Sequence, residues 1–267
     1  MRNKKLIQEF VNLKYVCFVI VIILITIFEF SLHSAEPTIE KENFIIAIDT
    51  GHSEYSPGAI GARGTREYVL NKIISELLKE KLIKNGFKKT FVINYNERKL
   101  SLENRIRKIK SSNHDVLISI HHDSVQPLHM STWIYKGKQY NYSDKYKGFS
   151  IFISDSDIHY QNNLNLSGHI SDELIKFKFR PSLHHAELIP GENRRLIDQN
   201  RGIYEFNDLA ILKNAHAPAT LVECGIIVNR NEEILLLDPS HQNKLASGIC
   251  MGIVRYYSDL QQRDKRK

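Results

Sequence analysis

The run Phe44-Ile45-Ile46-Ala47-Ile48, which ends in Asp49-Thr50-Gly51-His52, constrains this chain more than any other stretch. Successive apolar residues without polar alternation fit a strand buried on both faces. Gly51 permits the tight exit such a strand needs. His52 then sits just past a strand end, where open α/β sheets keep their sites. Two further runs end in the same way. Asp115 to Ile120 leads into His121, and Ala219 to Val222 leads into Glu223. Three buried strands thus deliver His, His and Glu to one edge, with Glu67 close by. That pattern suggests a metal site.

Between these runs the apolar period changes. Glu67 opens an amphipathic helix in which Val69/Leu70, Ile73/Ile74, Leu77/Leu78 and Leu82 recur at helical spacing, and Gly86 ends it. Phe91 to Tyr95 reads as a strand. Ser101 caps a helix with Leu102, Ile106 and Ile109 on one face. Gly148 to Ser154 alternates as a half-exposed strand would. Leu166, Ile170, Leu174 and Phe177 mark a helix. Leu245, Ile249, Ile253 and Tyr256 mark a final one, capped by Ser240. Ser124 to Lys147 reads as a loop in which Trp133, Tyr135, Tyr140, Tyr142 and Tyr146 stand among lysines. It suits either a sugar-contacting surface or a plain solvated loop. Arg180 to Asn200 has no clear period. This alternation, without internal repeats, predicts an α/β single domain. Its sheet is mostly parallel and twisted, flanked by helices, with the site at the strand ends.

A chain of 267 residues can hold one sizeable domain plus small additions. Residues 1–35 read as a signal peptide or an N-terminal membrane anchor. Arg2, Lys4, Lys5 and Lys14 precede the apolar run Tyr15–Phe28, which is short for a full span of about twenty residues. Either form puts the rest of the chain outside the cytoplasm. Residues 36–43 form a linker, 44–258 the domain, and 259–267 a charged tail. The formal charge of +7 suits an anionic polymer only weakly. No Arg/Lys-rich helix with interleaved aromatics is present, so no nucleic acid is expected as partner. Cys17 lies in the apolar run. Cys224 and Cys250 could pair, but nothing requires it and no CxxC occurs.

His52, Glu67 and His121 are the candidate metal ligands. Two imidazoles and one carboxylate suit catalytic zinc, because three protein ligands leave a fourth position for water. Bland readings stand beside this one. Glu67 in a first helical turn complements the helix dipole, either histidine could be a hydrogen-bonded buried group, and no short HExxH-like spacing supports the set.

The motifs carry a resemblance. Asp49-Thr50-Gly51-His52, Gly58-Ala59 and Glu67 resemble the opening of the zinc-dependent N-acetylmuramoyl-L-alanine amidases. Ser101-Leu102-Glu103-Asn104-Arg105, followed by Ser119-Ile120-His121-His122-Asp123, resembles that family's second block. Pro218 to Gly225, through Asn229, resembles its third. The blocks occur in family order over residues 44–257. Thr50 and Ser53 replace the family's usual Pro and Gly, His122 stands where a small residue or Asn is commoner, and Ile226 and Val228 replace Phe and Ser. None of these removes a ligand. Adjacent histidines on a strand point to opposite sides, so His121 is taken as ligand and His122 as a buried neighbour. Cys224, next to Glu223, is taken as a small buried residue rather than a nucleophile.

The resemblance implies one zinc ion per chain on His52, Glu67 and His121, with Glu223 as the catalytic carboxylate. It implies zinc-dependent hydrolysis of the amide between N-acetylmuramic acid and L-alanine in peptidoglycan, for cell-wall remodelling or daughter-cell separation. The alternatives are a catalytically silent peptidoglycan-binding protein of the same fold, or a zinc amidase or peptidase on another substrate. The expected partners are peptidoglycan and an activator protein, with anchorage in the inner membrane by residues 15–32 if the leader is retained. The expected location is the periplasm or cell envelope. Some members of the family carry an inserted helix that plugs the zinc site. Pro181 to Arg195, with His184, His185, Glu187 and Glu192, lies in a comparable place, and is expected to border the cleft and gate or contact the zinc.

Overall fold

The computed structural model describes residues 40–94, 100–155 and 158–266, except the side chain of Asp264. The expected leader 1–35, residues 36–39 of the expected linker and Tyr95 lie outside the described residues. No helix among the described residues is long and apolar enough to cross a membrane. The segment Glu40–Ser258 forms one compact unit.

The apolar runs become the middle of a seven-stranded sheet. β1 (Ile46–Thr50) is buried throughout and pairs in parallel with β2 (Phe91–Val92) and β3 (Val116–Asp123). β3 pairs in parallel with β9 (Ala219–Ile226). β6 (Ser150–Ile153) runs antiparallel to β9 and parallel to β8 (Ile203–Glu205), and β7 (Arg195–Asp198) closes the edge antiparallel to β8. The order is β2-β1-β3-β9-β6-β8-β7. The mostly parallel α/β sheet expected from the sequence is therefore what forms. β6 is not half-exposed, because all four of its residues are buried. As an inner strand it needs apolar cover on both faces.

α1 (Glu67–Lys84) packs on β1 and β3, and Gly86 turns the chain out of it at φ +97°. α2 (Leu102–Ser111) is capped by Ser101 Oγ, which accepts from Asn104 N at 3.3 Å. α3 (Tyr160–Lys176) packs on β6 and β9. The short α4 (Ala210–Lys213) sits with α2 on the other face, where Ile109, Ile211 and Leu212 meet Ala47, Leu117 and Leu221. α5 (Arg230–Leu236) follows β9, and α6 (Pro239–Asp264) is the last element. The cap of α6 is Asp238 rather than Ser240, since its Oδ1 accepts from His241 N at 2.8 Å. The expected charged tail is helical as far as Asp264.

The stretch Ser124–Lys147 is not a plain loop. β4 (Ser131–Tyr135) and β5 (Lys138–Tyr142) form a separate antiparallel hairpin. Lys136 and Gly137 both have positive φ, 49° and 74°, as a tight two-residue hairpin turn requires. Trp133, Tyr135, Tyr140 and Tyr142 fall at alternate positions, so they share one face.

Candidate active site

The site begins where β1 ends. Gly51 N donates to Ile120 O at 2.9 Å, which holds the exit against β3. His52 has φ 66°, a left-handed conformation that costs an L-residue about 1–2 kcal/mol. Strain of this kind persists where the surroundings over-determine it, and it clusters at functional sites. Glu67, the first residue of α1, stands between the two histidines. His52 Nε2 is 3.1 Å from Glu67 Oε2, and His121 Nδ1 is 3.1 Å from Glu67 Oε1. The carboxylate also accepts from Ala59 N at 2.9 Å and from Asn71 Nδ2 at 3.1 Å. Burial alone would raise its pKa, but hydrogen bonds and charge from His121 and His52 hold it well below the usual carboxylate range. Glu67 is therefore ionised. Two imidazole nitrogens and a carboxylate oxygen lie within 4.8 Å of one another, a donor set that fits zinc with a fourth position free.

The fold supports these three side chains closely. Gly58 is at φ +75°, and a Cβ there would lie 2.2 Å from Glu67 Oε2 and 2.6 Å from His52 Cδ2. Beneath His52, Asp49 is fully buried and accepts from Arg105 Nε at 2.8 Å and from Ser119 Oγ at 2.7 Å. Arg105 Nη2 completes a two-pronged pair with the same carboxylate. Burial would push Asp49 up, but the Arg105 charge and hydrogen bonds hold it below the ordinary range. This pair ties the end of β1 to α2. A cleft of about 560 Å³ opens beside it, lined by His52, His121, Ser101, Arg105, Leu209 and Ile211.

Glu223 is the register partner of His121 across β3 and β9, so both side chains leave the sheet on the same face. Its Oε2 is buried and has no hydrogen-bond partner among the described residues. Burial, with the negative charges of Asp123 and Glu67, raises its pKa well above the usual value. It lines an adjoining cavity of about 270 Å³ rather than the cleft of His52 and His121, and Leu209 borders both. His122 lies behind the site, with Nδ1 2.7 Å from Asn71 Oδ1, and burial lowers its pKa to about 3. Cys224 is buried, and burial pushes its thiol pKa far up, which suits the inert role expected of it.

Pro181–Arg195 does border the cavity of Glu223, through Gly191, Glu192, Arg194 and His185. Its histidines do not join the His52 group. His184 and His185 converge instead on Asp123, which the sequence reading left unassigned. The available signal was parity: Asp123 is two residues beyond His121 on one strand, hence on the same face. Glu187 turns away and pairs with His129 at 2.7 Å and with Lys145 at 3.4 Å. The hairpin is likewise tied down, since Trp133 Nε1 donates to Ala62 O at 2.6 Å. The guanidinium groups of Arg63 and Arg230 each lie 5.1 Å from the Trp133 ring.

Comparison with known proteins places this geometry in context. Residues 46–255 match the family described as N-acetylmuramoyl-L-alanine amidase. A protein of Buchnera aphidicola subsp. Acyrthosiphon pisum, provisionally named for the same amidase, is 29% identical over 228 residues, covering 82% of this chain and 96% of its own. In fold, the chain resembles the N-acetylmuramyl-L-alanine amidase Ami1 of Mycobacterium smegmatis, with TM-score 0.64 and 19% identity over 81% of this chain and 97% of the other. It also resembles the CwlD amidase of Clostridioides difficile, whose structure was solved in complex with the GerS lipoprotein. There the TM-score is 0.59, with 24% identity over 81% of this chain and all of the other.

Proposed function

Since the chain belongs to the N-acetylmuramoyl-L-alanine amidase family, we propose that it is a zinc-dependent enzyme that cuts the amide joining N-acetylmuramic acid to L-alanine in peptidoglycan. The observation that carries the zinc dependence is the convergence of His52, Glu67 and His121 within 4.8 Å, one strand from Glu223. Those three residues would hold the ion. Zinc bound there would polarise the scissile carbonyl and lower the pKa of a water from 15.7 to about 7. In its ionised form Glu223, made a stronger base by its burial, would accept the proton of the attacking water and return it to the departing amine. Its burial keeps that carboxylate out of bulk water, where proton transfer is less directed. Asn71 and the Ala59 amide orient Glu67, and the Asp49–Arg105 pair holds the β1 exit that carries His52.

The reading extends to an exported enzyme of the periplasm or cell envelope that acts in wall remodelling or daughter-cell separation. The leader 1–35, as signal or anchor, would deliver it there. An activating partner is part of the proposal, motivated by the CwlD–GerS complex. The experiment applies the full chain to intact peptidoglycan, with and without a chelator, and measures new amino-terminal L-alanine. Chelator-sensitive release is expected. Glu223→Gln should retain zinc and lose activity by about 10²–10⁴. Normal cleavage by that variant would remove Glu223 from its role, and unaltered release in the presence of a chelator that strips the protein would remove zinc from the reaction.

A further inference from the structure

A second constellation of metal-ligating groups lies outside the site just described. Asp123 ends β3, and His184 and His185 form the short 3-10 turn His184–Ala186. His185 Nε2 is 2.8 Å from Asp123 Oδ2, and His184 Nε2 is 3.2 Å from the same oxygen. All three donors lie within 4.8 Å of one another. His184 is 3% exposed, and among the described residues its Nε2 has no well-directed hydrogen-bond partner, only the off-line approach to Asp123 Oδ2 at 3.2 Å. One buried imidazole nitrogen is thus aimed at the cluster with nothing to satisfy it. Such a group is costly when left unpaired.

The far side of each ring is already held. His185 Nδ1 is 2.8 Å from Glu192 Oε2, and Glu192 Oε1 accepts from Gln126 Nε2 at 3.0 Å. A carboxylate accepts only, so Nδ1 donates to Glu192 and, without a metal, Nε2 donates to Asp123. This is the carboxylate–histidine arrangement that orients imidazole ligands and strengthens them as donors. His184 Nδ1 is 2.9 Å from Ser182 Oγ. Tyr146 stacks on His184, and Phe152 packs edge-on against His185. Between His185 Nε2 and Asp123 Oδ2 a proton bridges in the metal-free chain, and a metal ion would take its place. A proton serves for one imidazole only. Asp123 and Glu192 together bring two negative charges into a mostly buried setting, and one imidazolium balances one of them.

We propose that Asp123, His184 and His185 form a second divalent metal site, of the zinc class, distinct from the His52–Glu67–His121 group. Two nitrogens and one carboxylate oxygen are the ligands, and the remaining position faces the cavity shared with Glu223. The ion fastens the Pro181–Arg195 segment to the end of β3. It replaces the proton between His185 and Asp123, so binding releases it.

The test measures zinc stoichiometry and affinity on the purified full chain in detergent, after stripping with a chelator and reloading with zinc alone. Wild type is expected to bind two equivalents. The His52→Ala chain is expected to keep one equivalent and to gain thermal stability on zinc addition. His184→Gln and His185→Gln are each expected to weaken one equivalent by at least tenfold and leave the other intact. Cobalt substitution of His52→Ala should give visible d–d bands that His52→Ala/His185→Gln lacks. A folded His52→Ala chain that binds no zinc and shows no thermal shift would overturn the proposal, and it requires no substitution within the new site. Equal stoichiometry in wild type and in the His184→Gln and His185→Gln chains would overturn it too. None of these readouts depends on amidase turnover.

Discussion

Gly58→Ala separates backbone strain from damage to the metal centre. Gly58 sits at φ +75°, where any L-residue pays about 1–2 kcal/mol. Gly137, in the hairpin turn, has nearly the same φ of +74°, and a Cβ there would meet nothing within 4 Å. Gly137→Ala should therefore show the backbone cost alone. At Gly58 the new Cβ would also lie 2.2 Å from Glu67 Oε2. Restoring an ordinary contact of about 3.5 Å moves that carboxylate by more than about 1 Å. Metal–ligand distances tolerate only about 0.2 Å. Zinc affinity should fall by about 10–100-fold, the range seen when groups that orient ligands are lost. Urea unfolding of the metal-free chains reports the strain, and competition with a chromogenic chelator reports affinity. Both alanine variants should lose about 1–2 kcal/mol of stability, and only Gly58→Ala should lose zinc. Affinity for zinc within twofold of wild type in Gly58→Ala, or an equal loss of zinc affinity in Gly137→Ala, would refute the close-approach reasoning.

Arg105→Met leaves Asp49 buried with an unpaired charge, and should cost about 3–5 kcal/mol in urea unfolding. A loss below about 1 kcal/mol, the value of a surface pair, would contradict it. Gly252→Ala sets two effects against each other. Helix propensity favours alanine by about 1 kcal/mol, but the Cβ would meet the Ile170 backbone at 2.4 Å. Overpacking costs about 1–3 kcal/mol, so a net loss in thermal stability is expected, and a gain would show that α3 and α6 can separate freely. Glu232 provides a pH dependence. Burial raises its pKa from 4.5 to about 7, against the hydrogen bonds it accepts from Ile226 N and Gly148 N. A raised carboxyl pKa means the folded state holds the proton more tightly. Its contribution is fully present below pH 4.5 and is lost as pH rises through about 7. The stability difference between wild type and Glu232→Gln should therefore change by about 2–3 kcal/mol between pH 5 and pH 8. A flat difference would contradict the assignment.

The parts legible in the sequence were those where one local rule dominates. β1, β3 and β9 are covered on both faces, so their apolar runs are continuous and each ends visibly at a polar residue. The helical period and Gly86 marked α1, and Ser101 marked α2. β6 was harder, because Ser150 and Ser154 suggest alternation although both are buried. The hairpin was hidden by its lysines. Its turn at Lys136-Gly137 departs from the common Asn-Gly signal, so only the aromatic parity pointed to it. For the site, His52, Glu67 and His121 have donor atoms within 4.8 Å of one another. Asp123 was missed because its partners are remote in sequence, with His185 62 residues away. Pairing over such a separation is decided by the β-strand order, which local periodicity does not encode. The grouping of His184 and His185 away from His52 follows from the same cause.

The register His121↔Glu223 has a consequence for how the molecule comes apart. β9 is the central strand of seven and β3 its neighbour, so their amides open only when the whole sheet does. Two members of the site thus ride on the part of the fold that exchanges hydrogen last. His184 and His185 ride on a connecting segment outside the central strands. His121 and Glu223 hold their mutual alignment until global unfolding. For that pair, loss of alignment and loss of the fold are a single event.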